Sequence, residues 1–199
     1  MPSTSAPYGF RAVKHPSGLV RSNPYVIASG YNANIFKGDT VKLVTATGTI
    51  ALATTDGARA SSTATDLLGV FAGVEYTDGQ GKRVVSPFWP TGTVATNIVA
   101  WVWDDSATVF EVQGTGTAYV QADIGDQVDA VLTNVGGVGG STLTGLSQAS
   151  TGTVVGAGSQ GQFRVVAIAP AIDNAFGDSY VSVQVQMARP QYVAAKVAI

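Results

Sequence analysis

Apolar and polar positions along this chain alternate mostly with a period of two, and no segment sustains a 3.6-residue apolar period. The cleanest run lies late in the chain. Val181, Val183, Val185 and Met187 alternate with Tyr180, Ser182, Gln184 and Gln186, which predicts a strand with one buried and one polar face. The most apolar run is Leu67 to Pro90 (LLGVFAGVEYTDGQGKRVVSPFWP), two predicted strands joined by the turn Asp78-Gly79-Gln80-Gly81. Strict alternation puts Val70, Ala72, Val74 and Tyr76 on one face of its first strand and Phe71, Gly73, Glu75 and Thr77 on the other. The return strand divides Val84 and Phe88 from Val85 and Trp89. A hairpin apolar on nearly both faces needs cover from the rest of the chain or from a partner.

Further strands are predicted at Val41–Thr45, Thr49–Ala53, Asn97–Trp103, Ala107–Gln113 and Gln162–Ala169, separated by Gly-, Asp- and Thr-containing turns. Trp101 and Trp103 fall on one face, a large apolar area that requires cover. Thr54–Asp66 is a polar loop, and Asn134–Gly161, rich in Gly, Ser and Thr, is an exposed loop or a flexible excursion. Residues 1–30 hold Pro2, Pro7, Pro16 and Pro24 and no sustained period. They predict an extended N-terminal arm, with Tyr25-Val26-Ile27 as a first short strand. Such an arm either crosses a neighbouring subunit through Tyr8, Phe10 and Tyr25 or is a loosely ordered tail. The body is then 31–199, with two sub-barrels at about 31–95 and 96–199 if the unit is duplicated. Duplication is suggested by Gly38-Asp39-Thr40-Val41 and Gly125-Asp126-Gln127-Val128, each opening an apolar run that precedes a longer strand; Gly-Asp is also a common turn. The fold class expected is all-β, a barrel or sandwich, either jelly-roll-like or built from duplicated small barrels.

Composition sharpens this picture. A chain of 199 residues can bury its own core without staples, and it has no cysteine for disulfides or thiolate chemistry. Eleven basic against thirteen acidic residues offer no electrostatic footprint for nucleic acid or anionic lipid. No apolar run approaches a membrane span, and MPSTSAPYGF lacks the basic and apolar regions of a signal peptide. Charged residues are only 12% of the chain and mean hydropathy is +0.22, which suits a subunit that buries much of its surface in an assembly; the alternative is a monomer with a Thr-, Ser- and Gly-rich surface.

Candidate chemistry fails motif by motif. Gly156–Gly161 matches GxGxxG, but a strand follows where a dinucleotide site needs a helix. Gly136–Thr142 lacks the lysine of a phosphate loop. Ala157-Gly158-Ser159-Gln160-Gly161 resembles a nucleophile elbow, yet the one histidine, His15, lies far upstream beside Pro16. One histidine and no cysteine leave no transition-metal cluster. Asp104 and Asp105 point apart at a hairpin turn, Glu75 and Glu111 sit mid-strand, and Asp173–Asp178 has the wrong spacing for a calcium loop and reads as a turn with an exposed aromatic. The chain is read as no enzyme, with no cofactor.

Taken together, Tyr31–Leu43 (YNANIFKGDTVKL), Gly69–Thr93 (GVFAGVEYTDGQGKRVVSPFWPTGT), Gly156–Val165, Asp173–Asp178 and Arg189–Ile199 resemble virion structural proteins of tailed bacteriophages, particularly head decoration or cement proteins. The resemblance implies a β-rich homotrimer or other small oligomer on the outer surface of the head, assembled in a host cytoplasm. There it would bridge and stabilise major capsid protein subunits, with no catalytic residues. The alternative expectation is a receptor- or glycan-binding module of a tail fibre, with Trp89, Trp101 or Trp103 as a stacking platform. The candidate subunit-interface residues are Tyr8, Phe10, Tyr25, Phe71, Phe88 and Trp89.

Overall fold

A computed structural model describes residues 4–53, 67–116, 118–132, 139–156 and 160–192. The polar loop Thr54–Asp66 lies outside the described residues, as do parts of both glycine-rich motifs and the last seven residues. The protein is all-β, of sandwich type: among the described residues the single helical element is one 3-10 turn, Gln121–Asp123.

Two six-stranded antiparallel sheets make up the body. The first contains β2 (Asn23–Tyr25), β4 (Thr40–Val44), β5 (Thr49–Leu52), β6 (Gly69–Thr77), β7 (Arg83–Ser86) and β9 (Thr96–Trp103). Its order is β2-β9-β6-β4-β5, with β7 on β6. The second contains β1 (Arg11–Lys14), β10 (Val109–Gln113), β11 (Gln127–Val131), β12 (Ser150–Val154), β13 (Phe163–Ile168) and β14 (Ser182–Met187). Its order is β1-β10-β14-β13-β11-β12. A two-stranded ribbon pairs β3 (Ile35–Phe36) with β8 (Phe88–Trp89).

The two sheets repeat one connectivity. In chain order β2, β4, β5, β6 and β9 occupy the same sheet positions as β10, β11, β12, β13 and β14. The details repeat as well. Gly38 donates to Phe71 and Phe71 donates to Asp39, as Gly125 donates to Val165 and Val165 donates to Asp126. A bulge follows each clamped residue, between Phe71 and Gly73 and between Val165 and Ala167. One parallel bridge brings the outer strands of each set together, Ile27 to Ile50 and Gly114 to Thr151. These are single bridges, so neither sheet is a closed barrel.

Three expectations are corrected. The division between repeats falls after Trp103, because β9 pairs along β6 of the first sheet; a boundary at 95/96 would separate them. The described part of residues 1–30 is not a free arm. β1 pairs with β10 of the second sheet and β2 with β9 of the first, so this stretch stitches the two units together within the protomer. Pro24 is tolerated in β2 because that strand lies at a sheet edge. Alternation along β6 also breaks: the bulge inserts a residue, so Phe71 joins Val74 and Tyr76 in one core, while Val70 enters the other.

Each unit wraps its own core. Ile27, Ile35, Val41, Phe71, Val74, Trp89, Ala100 and Val102 fill the first. Phe10, Phe110, Val112, Tyr119, Val128, Phe163 and alternate residues of β14 fill the second. There Phe10 stacks on Phe163 with ring centroids 4.5 Å apart. In β14 the alternation read from the sequence is the alternation observed, with Val183, Val185 and Met187 buried.

Candidate interaction surfaces and the seam

The six candidate interface residues divide sharply. Phe10, Phe71 and Trp89 are at most 1% exposed, inside the protomer's own cores. They are absent from its surface. The cover that the hairpin needed comes from the chain itself: Ile27, Ile35, Val41 and Ile50 share one core with Phe71 and Trp89, and the Tyr76 ring meets Trp89 edge-on at 5.2 Å. Phe88 is half-buried and stacks on Phe36 at 5.5 Å. Tyr8 and Tyr25 are also half-buried, with committed hydroxyls. Tyr8 Oη donates to Glu111 at 3.2 Å and lies 3.2 Å from the Ser182 hydroxyl, and burial pushes its pKa up to about 12. Tyr25 Oη donates to Asp104 at 2.6 Å and lies 3.1 Å from the Tyr192 hydroxyl. Burial, then these neighbours, hold its phenol well above the usual range.

A junction that the sequence did not single out ties the two units together at Gly38-Asp39. Phe10 donates to Gly38, Gly9 to Ala149, Lys37 to Gly145, and Ser147 back to Lys37. Gly140 and Gly145 allow this approach: a Cβ at Gly140 would stand 2.4 Å from the Phe36 ring, and one at Gly145 2.3 Å from Pro87. The described part of the glycine-rich stretch between β11 and β12 is therefore docked on the first unit, because glycine leaves room for backbone against ring. Beneath it lies Asp39, 2% exposed. Its Oδ2 accepts the Phe36 amide at 2.7 Å, and its Oδ1 accepts the Ser147 hydroxyl at 2.5 Å. Ser147 Oγ in turn accepts the Ala149 amide at 2.9 Å. Burial pushes the Asp39 carboxyl up from 3.8 to about 7, against the lowering pull of the two donors. The available signal was Gly-Asp after the apolar pair Ile35-Phe36; its partner, Ser147, is 108 residues away.

Other sequence-level candidates separate. Asp104 binds Asn23 and Tyr25, while Asp105 caps Ala107, so the two carboxylates point apart. Glu75 pairs with Arg83 at 2.6 Å on the first sheet, and Glu111 lies on the second. Phe176, expected at an exposed turn, is half-buried against the second core. His15 sits between Ser17 Oγ, 2.7 Å from Nδ1, and Asp105 Oδ2, 3.1 Å from Nε2. The carboxylate contact has ion-pair distance without hydrogen-bond alignment. The Ser17 amide donates to Nδ1 and the Gly18 amide to the His15 carbonyl. Both nearby amides are thus committed to the turn, and neither can serve an oxyanion. The group is a locked turn. Among the described residues no set of three or more metal-ligating side chains converges, and no helix is long and apolar enough to cross a membrane.

No family model, no curated protein and no solved structure matches this chain.

Proposed function

We propose that this chain is a decoration protein of a bacteriophage capsid, a small homo-oligomer that bridges and stabilises major capsid subunits on the outer head surface. Large aliphatic side chains standing in solvent at connecting segments carry this reading. Leu143 is 94% exposed, Ile172 is fully exposed and Val94 is 73% exposed, while both cores are complete without them. Aliphatic tips on a low-charge body suit insertion into grooves of neighbouring subunits. The sequence resemblance through Tyr31–Leu43 and Gly69–Thr93 supports the same reading, and those segments form the Gly38-Asp39 junction and the β6–β8 framework.

The test has two parts. Light scattering of the purified chain is expected to give an oligomer, and the protein is expected to co-sediment with heads that lack it. Leu143→Asp and Ile172→Asp are expected to weaken one or both. A strict monomer without affinity for heads would falsify the proposal. The glycan-binding alternative retains Trp101 and Trp103, half-exposed on β9, but loses the buried Trp89. Glycan binding abolished by Trp101→Ala, with no affinity for heads, would favour it.

A further inference from the structure

A second feature of the seam stands independently of the capsid reading. Tyr8, Phe10, Arg11, Lys37, Trp103 and Leu146 line a crevice of about 50 Å³. At about 10–15 Å³ per water-sized group, it has room for roughly three to five such groups, enough for the carboxylate end of one acidic side chain. Two exposed cations flank it. The Arg11 guanidinium carbon lies 4.7 Å from the Tyr8 ring centroid, and Lys37 Nζ lies 5.9 Å from that of Trp103. Rings seat these cations without neutralising them. Neither forms an ion pair with a described carboxylate. Glu111, directly across the ladder from Arg11, accepts the Tyr8 hydroxyl, and Asp39 is turned inward to Phe36 and Ser147. Two cations set against the one charge of Glu111 leave the crevice a positive balance.

The strand that carries Arg11 is an open edge. β1 pairs with β10 on one side, and no described strand lies on the other. Its charged side chains, Arg11 and Lys14, have one sign and are exposed. Two copies of β1 brought edge to edge would set cation against cation, whereas an acidic strand would meet complementary charge. We propose that the seam captures an extended acidic segment of a partner protein. Its backbone adds alongside β1, and one Asp or Glu side chain enters between Arg11 and Lys37.

Calorimetric titration of the full chain with acetyl-Thr-Glu-Val-Glu-Thr-Glu-Val-amide at low salt tests this. One-to-one binding is expected, and the counterpart with lysine in place of glutamate is expected not to bind. Arg11→Glu and Lys37→Glu are each expected to weaken binding by about tenfold or more, while Lys82→Glu in the exposed β6–β7 turn leaves it unchanged. Thermal melts establish that each variant folds; Arg11→Gln and Lys37→Gln replace any charge reversal that melts early. The proposal is overturned by a glutamate peptide that fails to bind, by a lysine peptide that binds equally, by charge-reversed variants with full affinity, or by equal weakening from Lys82→Glu. In those outcomes the charged edge serves only to keep β1 unpaired.

Discussion

The two Gly-Asp turns begin from the same backbone and end in opposite environments. Gly38 and Gly125 have φ near +97° and +100°, each followed by an aspartate and a strand, and each turn clamps a bulged neighbour strand by the same pair of hydrogen bonds. Asp39 is buried and its carboxyl titrates near neutrality, whereas Asp126 is exposed to solvent. The difference arises outside the turns. The first unit joins β4 to β5 by a tight turn, while the second sends the long β11–β12 connection back across Gly38-Asp39, where Gly9 and Phe10 join it. One local motif thus serves as a surface turn in one unit and as the buried fastening of both units in the other.

Substitutions made in pairs break this comparison from the largest effect downward. Asp39→Ala leaves the Phe36 amide and the Ser147 hydroxyl without their acceptor, and is expected to cost about 2–5 kcal/mol in chemical denaturation. Asp126→Ala, at an exposed turn, is expected to stay within about 0.5 kcal/mol. Equal losses would show that the burial of Asp39 has no energetic consequence.

Titration sharpens the same contrast. The folded-state pKa of Asp39 is raised above its unfolded value, so the folded chain holds the proton more tightly. Its contribution to stability is fully present below about pH 4 and is lost as pH rises through about 7. The span is on the order of 4 kcal/mol. Other carboxylates superimpose their own dependence, so the informative quantity is the difference between the native chain and Asp39→Asn. Stability of the native chain relative to that variant is expected to fall between pH 4 and 7. A flat difference would place the titration elsewhere.

Glycine replacement separates strain from crowding. Alanine at either turn pays the positive-φ strain, about 1–2 kcal/mol. At Gly38 the new Cβ would also lie 3.2 Å from the Phe10 amide nitrogen and 3.3 Å from Gly9 Cα, while at Gly125 nothing lies within 4 Å. Gly38→Ala is therefore expected to lower the melting temperature several degrees more than Gly125→Ala. A smaller loss than at Asp39, about 1–2 kcal/mol, is expected for Ser147→Ala, accompanied by a further rise in the Asp39 pKa, since the lowering hydroxyl is gone. Carboxyl chemical shifts followed by NMR would show that rise; a fall would contradict the hydrogen-bond assignment.

The sequence by itself determined that this chain is all-β, because period-two alternation and its interruption by turns are written in neighbouring residues. Val183, Val185 and Met187 needed nothing else to be placed inward. It also carried the repeated Gly-Asp-x-Val, a trace of the shared connectivity. Tertiary structure alone decided which apolar residues are available to partners. Phe71 and Trp89 read as equally fit for a core or an interface; the β6 bulge turned Phe71 into the first core, and the β3–β8 pairing set Trp89 there beside Ile35 and Tyr76. Tertiary structure likewise decided that β1 and β2, near the proline-rich N-terminus, stitch two sheets together and that the described part of a glycine-rich excursion closes over Asp39. Those outcomes depend on pairings between residues about a hundred positions apart, such as Tyr8 with Glu111 and Asp39 with Ser147. Local pattern fixes which face of a strand is apolar. What covers that face is a property of the whole chain.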